Sequence, residues 1–382
     1  MTKETPSMFH DHHSHPLLYA SFLSGVDLSD VNSWEQAADL ICDHDSSRLT
    51  VAHHWKSNRF QIDAEELEKL PPTVVFNLSL HGLKLNSAAS SMLEKEFGAE
   101  VQNLSNQDWF ENNFRRVLNW FAMLGGSPEA LQKFFGYLSS VGIHSAEELL
   151  LVNETEIDWF EQADLLGRTK FWAAPDSFEL LSAEARGKIH GSKLFTDGAF
   201  GARTAAIELH YVGQSGNRGI LLYSDEQLQA LVKECAALSP AIAIHAIGDR
   251  AIEQTITVLE RVGSDALFQE TRIEHAQLIT QAQATRAKNL GAKLSMQPNF
   301  NSDSSEYADR LPADCLRANN PFRMLIDDVG FEPGVDLVFG SDGMPHGIEH
   351  AFKEVDEPPF EVQRLSREEL LSGYTRSSQK GH

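Results

Sequence analysis

The second half of the chain repeats one pattern, a short apolar run followed by an amphipathic stretch. Residues 241–245 form such a run, and residues 250–262 have the periodicity of a helix. Strand and helix units in series build a parallel sheet. Four units follow one another here, and four strands upstream bring the predicted total to eight, at residues 8–13, 149–152, 169–173, 188–195, 241–245, 271–275, 292–297 and 336–341. The pattern predicts an α/β protein with a TIM-type (β/α)8 barrel.

The segment between the first two strands, at about residues 33–136, is too long for a barrel loop. It has strand-like runs of its own at residues 48–52 and 73–78, and a helix-rich stretch. Loops that follow barrel strands emerge at the face where active sites form. We therefore expect an insertion over the top of a barrel that spans residues 1–379. Residues 380–382 resemble the start of an affinity tag and are left out of this domain.

Composition and charge exclude several kinds of partner. The 382 residues are 42% hydrophobic, yet no run approaches the roughly 20 apolar residues that span a bilayer. A net charge of −23 repels phosphate backbones and anionic membrane surfaces. Cys42, Cys235 and Cys315 are scattered, which favours neither disulfides nor a thiolate metal site and fits a reducing compartment. We expect a cytoplasmic protein that binds a small molecule, not nucleic acid or a membrane.

The first predicted strand carries the first chemical signal, the sequence His13-Ser14-His15. Alternate side chains of a strand share a face, so His13 and His15 project together and can bind one metal ion through two imidazole nitrogens. His10 and His12 then face the other side. On its own, such a histidine-rich end is as compatible with a solvated tail as with a metal site.

Three further candidates follow strands of the second half. His245 ends one strand, His275 ends the next, and Asp342 comes just after the last. Because the carboxyl ends of barrel strands converge on one mouth, these side chains can share a metal ion. Taken singly, each histidine is more often a hydrogen-bonded core residue, and the aspartate is as compatible with a helix cap.

Together these residues resemble the metal site of the amidohydrolase superfamily. The similarity is strongest to the branch that includes the N-substituted formamide deformylases, amidohydrolase family 3. It extends from about residue 10 to residue 376 and is weaker in the insertion. The segments that carry it are residues 193–198, 201–205, 245–250, 272–277, 296–298 and 340–342.

The resemblance implies a special role for Lys193, as a bridging ligand that carbon dioxide has carboxylated. A neutral amine captures carbon dioxide, and the carbamate offers one oxygen to each of two metal ions. The residues alone leave another interpretation open, a buried ion pair of Lys193 with Asp197 or another carboxylate at the mouth. The cofactor implied is one or two divalent metal ions, with zinc favoured. The ligands implied are His13, His15, Lys193, His245, His275 and Asp342.

The reaction implied by the resemblance is hydrolysis of an amide or another non-peptide C–N bond of a small molecule. Paired cations lower the pKa of a shared water, so that hydroxide is available for the attack. Asp342 would be the catalytic residue, which takes the proton from the water and passes it to the departing nitrogen. His81, in the insertion, is the candidate substrate-binding residue, although it is as compatible with a surface histidine.

The chain departs from the family at both ends. The His13-Ser14-His15 motif lies within the first 15 residues, and only 40 residues follow Asp342. Relatives usually build a small β-sandwich from strands at both ends, so we expect this companion domain to be missing. The chain is then either a naturally compact barrel or a shortened one.

Two other functions stay open at this point. A one-metal deaminase of a heterocyclic substrate would use the same histidines without a carboxylated Lys193, so metal stoichiometry separates it from the hydrolase. A non-catalytic barrel that binds a ligand is the third interpretation. Loss of activity in Asp342→Asn with the metal retained would argue against it. A homodimer is a general expectation for such enzymes, and no interface is evident in the sequence.

Overall fold

The structure is a computed structural model that describes residues 9–44, 49–263 and 268–375. Its strands, in chain order, are β1 (Phe9–Ser14), β2 (Val26–Asp27), β3 (Thr50–Trp55), β4 (Thr73–Asn77), β5 (Leu83–Leu85), β6 (Ile143–Leu151), β7 (Thr169–Ala173), β8 (Ile189–Phe195), β9 (Ala241–Ala246), β10 (Glu270–His275), β11 (Lys293–Met296) and β12 (Leu337–Phe339).

The helices surround these strands. They are α1 (Pro16–Phe22), α2 (Trp34–Asp43), α3 (Ala64–Leu67), α4 (Ser87–Phe97), α5 (Gln107–Asn112), α6 (Phe114–Gly125), α7 (Pro128–Ser140), α8 (Glu154–Gln162), α9 (Pro175–Leu180), α10 (Ala183–Lys188), α11 (Asp225–Leu238), α12 (Asp249–Val262), α13 (Gln281–Asn289), α14 (Asp303–Glu306), α15 (Ala313–Ala318), α16 (Ile348–Asp356) and α17 (Arg367–Gly373). Shorter 3-10 turns and one π-helical turn, at residues 324–329, connect them. None of the helices in the described ranges is long and apolar enough to cross a membrane.

Eight strands form one parallel sheet in the order β1-β6-β7-β8-β9-β10-β11-β12. The sheet curls until its two edges meet. At their junction the backbone N–H of Asp342, just after β12, donates to the carbonyl of His13 in β1 at 2.7 Å. The (β/α)8 barrel predicted from the sequence is confirmed. The predicted strand at residues 149–152 is only the end of β6, which begins at Ile143.

The buried strands and amphipathic helices follow the sequence pattern. All six residues of β9 are buried, as expected for a parallel strand covered on both faces. On α12 the buried residues Ile252, Ile256 and Leu259 recur at helical spacing, so one face of this helix packs against the sheet. Cys42, Cys235 and Cys315 are all free thiols.

The segment between β1 and β6 carries a second sheet, in the order β2-β3-β4-β5. The first three strands are parallel, and β5 is antiparallel to β4. A separate apolar cluster that includes Trp34, Ile41, Phe60 and Val75 supports it. This sheet begins at β2, before the predicted boundary at residue 33, and α7 ends at Ser140, after the predicted boundary at residue 136. The elements of this segment thus extend a few residues beyond the predicted bounds at residues 33 and 136. The division of the chain into a barrel and an insertion subdomain stays a prediction.

The sheets of the barrel and of the insertion are the two sheets in the described residues. The residues interpreted as a tag, 380–382, lie outside the described ranges.

Candidate metal centre

The carboxyl ends of the barrel strands surround a cavity of about 230 Å³. Parallel strands deliver their terminal side chains to the same end of the barrel. The residues of the predicted ligand set that line this cavity are His13, His15, His245, His275 and Asp342. The sixth, Lys193, is fully buried within β8, two residues before the strand ends.

His13 and His15 both reach the carboxylate of Asp342. Nε2 of His15 is 3.0 Å from Oδ1 of Asp342, and Nε2 of His13 is 3.5 Å from the same oxygen. One ligand atom each from His13, His275 and Asp342 lie within 4.8 Å of one another. The rings of His245 and His275 are 4.5 Å apart between centroids, which adds His245 to the same group. The structure thus brings the four predicted histidines and the aspartate together.

His10 and His12 form a separate cluster further down the barrel. Both contact Oε1 of Glu147, at 3.1 Å and 3.4 Å. Lys170 lies 3.0 Å from that oxygen, and Arg272 donates to the other one at 2.5 Å. Because two permanent cations already neutralise this carboxylate, the cluster is not suited to a metal ion.

Three of the histidines at the mouth are oriented in the same way, by an acceptor on one ring nitrogen. A nitrogen that donates to such an acceptor leaves the other nitrogen of a neutral imidazole with its lone pair free. The pairs are His13 Nδ1 with Glu274 Oε2 at 2.5 Å, His275 Nδ1 with Gln297 Oε1 at 2.7 Å, and His245 Nε2 with Gly198 O at 3.1 Å.

Burial favours the neutral form of three rings at the mouth, those of His13, His15 and His275. It lowers the pKa of His13 to about 4, and it also lowers the pKa of His15 and His275. For Asp342, burial alone would raise the pKa, but the histidines around it, His13 foremost, hold that pKa well below its usual range. Neutral imidazoles and an ionised carboxylate are the protonation states that bind divalent cations.

Lys193 is buried, and its Nζ has no hydrogen-bond partner among the described residues. Burial lowers the pKa of its amine to about 8, against the opposing effect of Glu274 and Asp342. The alternative ion pair with Asp197 is not formed, because the carboxylate of Asp197 accepts the backbone N–H groups of Ala206, Ile247 and Gly248 instead. A lowered pKa increases the fraction of neutral amine, which is the chemical form that reacts with carbon dioxide.

Glu274 supports the ligand candidate His13, and it was not predicted from the sequence. It contacts His13, and it accepts a hydrogen bond from Nε of Arg272 at 2.7 Å. Arg272 also donates to the carbonyl of His12. The signal was present in Arg272-Ile273-Glu274, where two charged residues occupy alternate positions of an otherwise buried strand and must point into the barrel.

Backbone contacts fix the loop that carries Asp342. Oδ1 of Asp11 accepts the N–H groups of His13 and Ser341, at 3.1 Å and 2.9 Å, so one carboxylate ties β1 to the end of β12. Asp342 itself adopts a left-handed backbone conformation, with φ of 56°. Non-glycine residues in this region are uncommon and cluster at functional sites.

His81 reaches the cavity from the insertion, between β4 and β5. Its Nδ1 is 2.8 Å from Oε2 of Glu111, and its ring stacks on Phe114 with 4.0 Å between centroids. The side chain is buried, so the alternative of a surface histidine is wrong. Its ring lies 5.9 Å from that of His245.

The insertion also supplies much of the cavity wall. Leu80, Phe114 and Leu118 contribute apolar surface, and Lys56 contributes an ammonium group that pairs with Glu306 at 3.1 Å. The cavity wall therefore combines apolar surface with polar and charged groups, among them the Lys56–Glu306 pair and the carboxyl groups of Asp303 and Glu354. This arrangement is typical of a site for a small molecule.

The residues at the mouth fit a divalent cation. They offer imidazoles oriented by acceptors, one carboxylate and a buried amine without a hydrogen-bond partner. Nδ1 of His15 is also buried without a hydrogen-bond partner in the described part of the chain. Such unsatisfied groups are costly unless something binds them.

Comparison with known proteins supports the same interpretation. A sequence model of the amidohydrolase family matches residues 132–380, more than half of the chain. The putative amidohydrolase YtcJ of Bacillus subtilis is 31% identical over 151 residues, 39% of this chain and 27% of that protein. The protein LONG AFTER FAR-RED 3 of Arabidopsis thaliana is 31% identical over 205 residues, 49% of this chain and 34% of that protein. The chain thus matches about a third or less of the length of these relatives.

Two solved structures share the fold. An uncharacterized metal-dependent hydrolase from Pyrococcus horikoshii has a TM-score of 0.71 at 22% identity, over 96% of this chain and 79% of that one. Another from Pyrococcus furiosus has a TM-score of 0.69 at 21% identity, over 96% and 80%. With the family match across β6 to β12, we conclude that the chain belongs to the amidohydrolase family.

Proposed function

We propose that the protein is a metal-dependent hydrolase that cleaves an amide or another non-peptide C–N bond of a small molecule. The observation that carries this proposal is the convergence of four histidines, Asp342 and the unpaired Lys193 at one barrel mouth. The likeness of its motifs to the N-substituted formamide deformylases favours a formamide or a related N-acyl compound as substrate.

The proposed ligands of one or two divalent ions, zinc in the first place, are His13, His15, Lys193, His245, His275 and Asp342. Lys193 is proposed to act as its carbamate, because its amine is buried without a counterion. When bound, divalent cations would lower the pKa of water and polarise a carbonyl group.

The remaining chemistry belongs to the side chains. Asp342 accepts a proton from the attacking water and donates it to the nitrogen as the C–N bond breaks, so the products are a carboxylic acid and a neutral amine. His81, whose ring is fixed by Glu111 and Phe114, is proposed to contact the substrate. The apolar side chains of the wall, such as Leu80, Phe114 and Leu118, are proposed to exclude water around part of the substrate.

The test is amine release from a panel of formamides and N-acyl amines, with metal content measured on the same samples. We expect the wild type to hydrolyse members of the panel and Asp342→Asn to lose about 100-fold or more in kcat, since it loses a proton-transfer group. Asp309→Asn, which alters an exposed carboxylate, is the control. A metal-loaded wild type that is inert on the whole panel would contradict the proposal and favour a ligand-binding barrel.

A further inference from the structure

A second group of metal-ligand side chains lies in the small sheet of the insertion. Asp27 ends β2, and His53 and His54 are neighbours in β3, where Asp27 is the register partner of His53. Both histidine side chains are buried, whereas 49% of the Asp27 side chain is exposed. None of the three residues lines the barrel cavity.

The three ligand atoms form a compact triangle. Nδ1 of His54 lies 2.9 Å from Oδ1 of Asp27 and 3.1 Å from Nδ1 of His53, and the third edge, from His53 to Asp27, is 3.9 Å. A tetrahedral zinc ion with bonds of about 2.0–2.1 Å holds its ligands about 3.3 Å apart. The observed edges lie on both sides of that value, so the triangle has the size of one face of a zinc tetrahedron.

The three side chains have too few hydrogen-bond donors for the acceptors in this triangle. Nε2 of His53 is 3.2 Å from the carbonyl of Phe22 and therefore carries the hydrogen, which leaves Nδ1 of the neutral ring as an acceptor. The carboxylate of Asp27 is an acceptor too, and its Oδ1 also accepts the N–H of Ser29. A single hydrogen, on Nδ1 of His54, is left to donate to both Nδ1 of His53 and the carboxylate of Asp27.

Among the described residues, only the contacts with Asp27 and His53 favour a hydrogen on Nδ1 of His54. Nε2 of His54 is buried and has no hydrogen-bond partner there. If a cation takes the place of those two contacts, the ring can carry its hydrogen on Nε2 and turn a lone pair towards the triangle. A divalent cation would then satisfy His53, His54 and Asp27 at once, and Phe22 would orient His53 in the manner usual for a metal-bound imidazole.

A bulge in β3 makes this convergence possible. Neighbouring residues of a regular strand point to opposite faces, but the register of β3 shifts between Ala52 and Trp55, and His54 has a left-handed φ of 63°. Bulges commonly re-aim a side chain in this way. Unlike Glu147 in the barrel, Asp27 pairs with no lysine or arginine of the described chain, so no permanent cation competes for its carboxylate.

We propose that Asp27, His53 and His54 bind a structural zinc ion, with water as the fourth ligand on the exposed side of Asp27. The ion would fasten β2, which is only two residues long, to β3. Through the carbonyl of Phe22 it would also hold the end of α1. This site is separate from the proposed hydrolytic centre and does not depend on it.

The experiment is elemental analysis of the full-length chain after dialysis against zinc. The variants are Asp27→Asn, which changes a half-exposed side chain without changing its shape, and His54→Asn, since asparagine tolerates a left-handed conformation. Exposed His210→Ala is the control for adventitious binding. We expect one zinc ion fewer per chain in both variants than in the wild type and the control, with unchanged circular dichroism.

Equal zinc contents in Asp27→Asn and the wild type would overturn the inference. A parallel His15→Asn sample separates this site from the barrel. If only the insertion variants lose zinc, the structural site is supported and the barrel metal site fails. If only His15→Asn loses zinc, the inference fails and the barrel site is supported.

Discussion

At the scale of single residues, the barrel mouth depends on groups that hold its histidines in place. Glu274 lies between Arg272 and His13, so the guanidinium charge keeps the pKa of Glu274 low despite burial. The carboxylate in turn fixes the tautomer of His13. Removal of such a supporting group typically weakens metal binding 10–100-fold.

Glu274→Gln is therefore expected to lower zinc affinity by about 10–100-fold, because an amide cannot match the carboxylate as an acceptor for both neighbours. Competition with a chromophoric chelator measures this affinity. The control is Glu270→Gln, the same change four residues earlier on β10, where Glu270 pairs with His190. This variant should leave the zinc affinity unaltered. Equal affinities in the two variants would mean that Glu274 has no role in holding His13.

Sequence reasoning found the ligand candidates but not their supports, and the reason is physical. His245, His275 and Asp342 each mark the end of a strand, which is a local signal. Glu147 and Arg272 meet across 125 residues of chain, so their pairing is set by the barrel and not by any local pattern. The convergence of His53 and His54 was equally hidden, since it depends on a bulge in β3.

At the scale of elements, closure of the barrel between β12 and β1 decides where Asp342 lies relative to His13. Gly340 permits this closure, because a Cβ atom at that position would lie 2.3 Å from the backbone nitrogen of His13. Strand periodicity predicted seven of the barrel strands nearly to their bounds. It found only the end of β6, because Glu147 and Glu148 interrupt the apolar run although both are buried.

Gly340→Ala is expected to separate β12 from β1, with a loss of about 1–3 kcal/mol in the free energy of unfolding, as for other overpacked sites. Urea denaturation measures the change. Gly187→Ala, in α10, adds a methyl group to open space and should be neutral or slightly stabilising. A Gly340→Ala variant as stable as Gly187→Ala would contradict the close approach of the two strands.

At the scale of the whole molecule, buried carboxyl groups make stability depend on pH. Burial raises the pKa of Glu156 from its ordinary 4.5 to about 7, and that of Glu148 to about 8. Because the folded state favours the protonated form, the stabilising contribution is fully present below about pH 4.5. It is lost as the pH rises through 7.

Glu156 should therefore add a downward slope to the free energy of unfolding between pH 5 and pH 8, on the order of 3 kcal/mol in total, which the buried histidines with lowered pKa values oppose below about pH 6.5. Denaturant titrations at a series of pH values measure this slope. Glu156→Gln, which cannot ionise, should flatten it, whereas Glu129→Gln on the exposed surface of α7 should not. A slope that Glu156→Gln leaves unchanged would show that Glu156 is ionised in the folded protein.

The most direct test of the proposed barrel centre is metal content per chain by elemental analysis, on protein purified without chelator. The two proteins compared both carry His54→Asn, and they differ only in having Lys193 or Lys193→Ala. That background removes the proposed structural zinc from the count. We expect near two ions per chain, with a clear fall in the Lys193 variant, because the proposed carbamate ligand would be lost. One ion, unchanged in the variant, would favour the deaminase. No ion in either protein would contradict the metal centre itself.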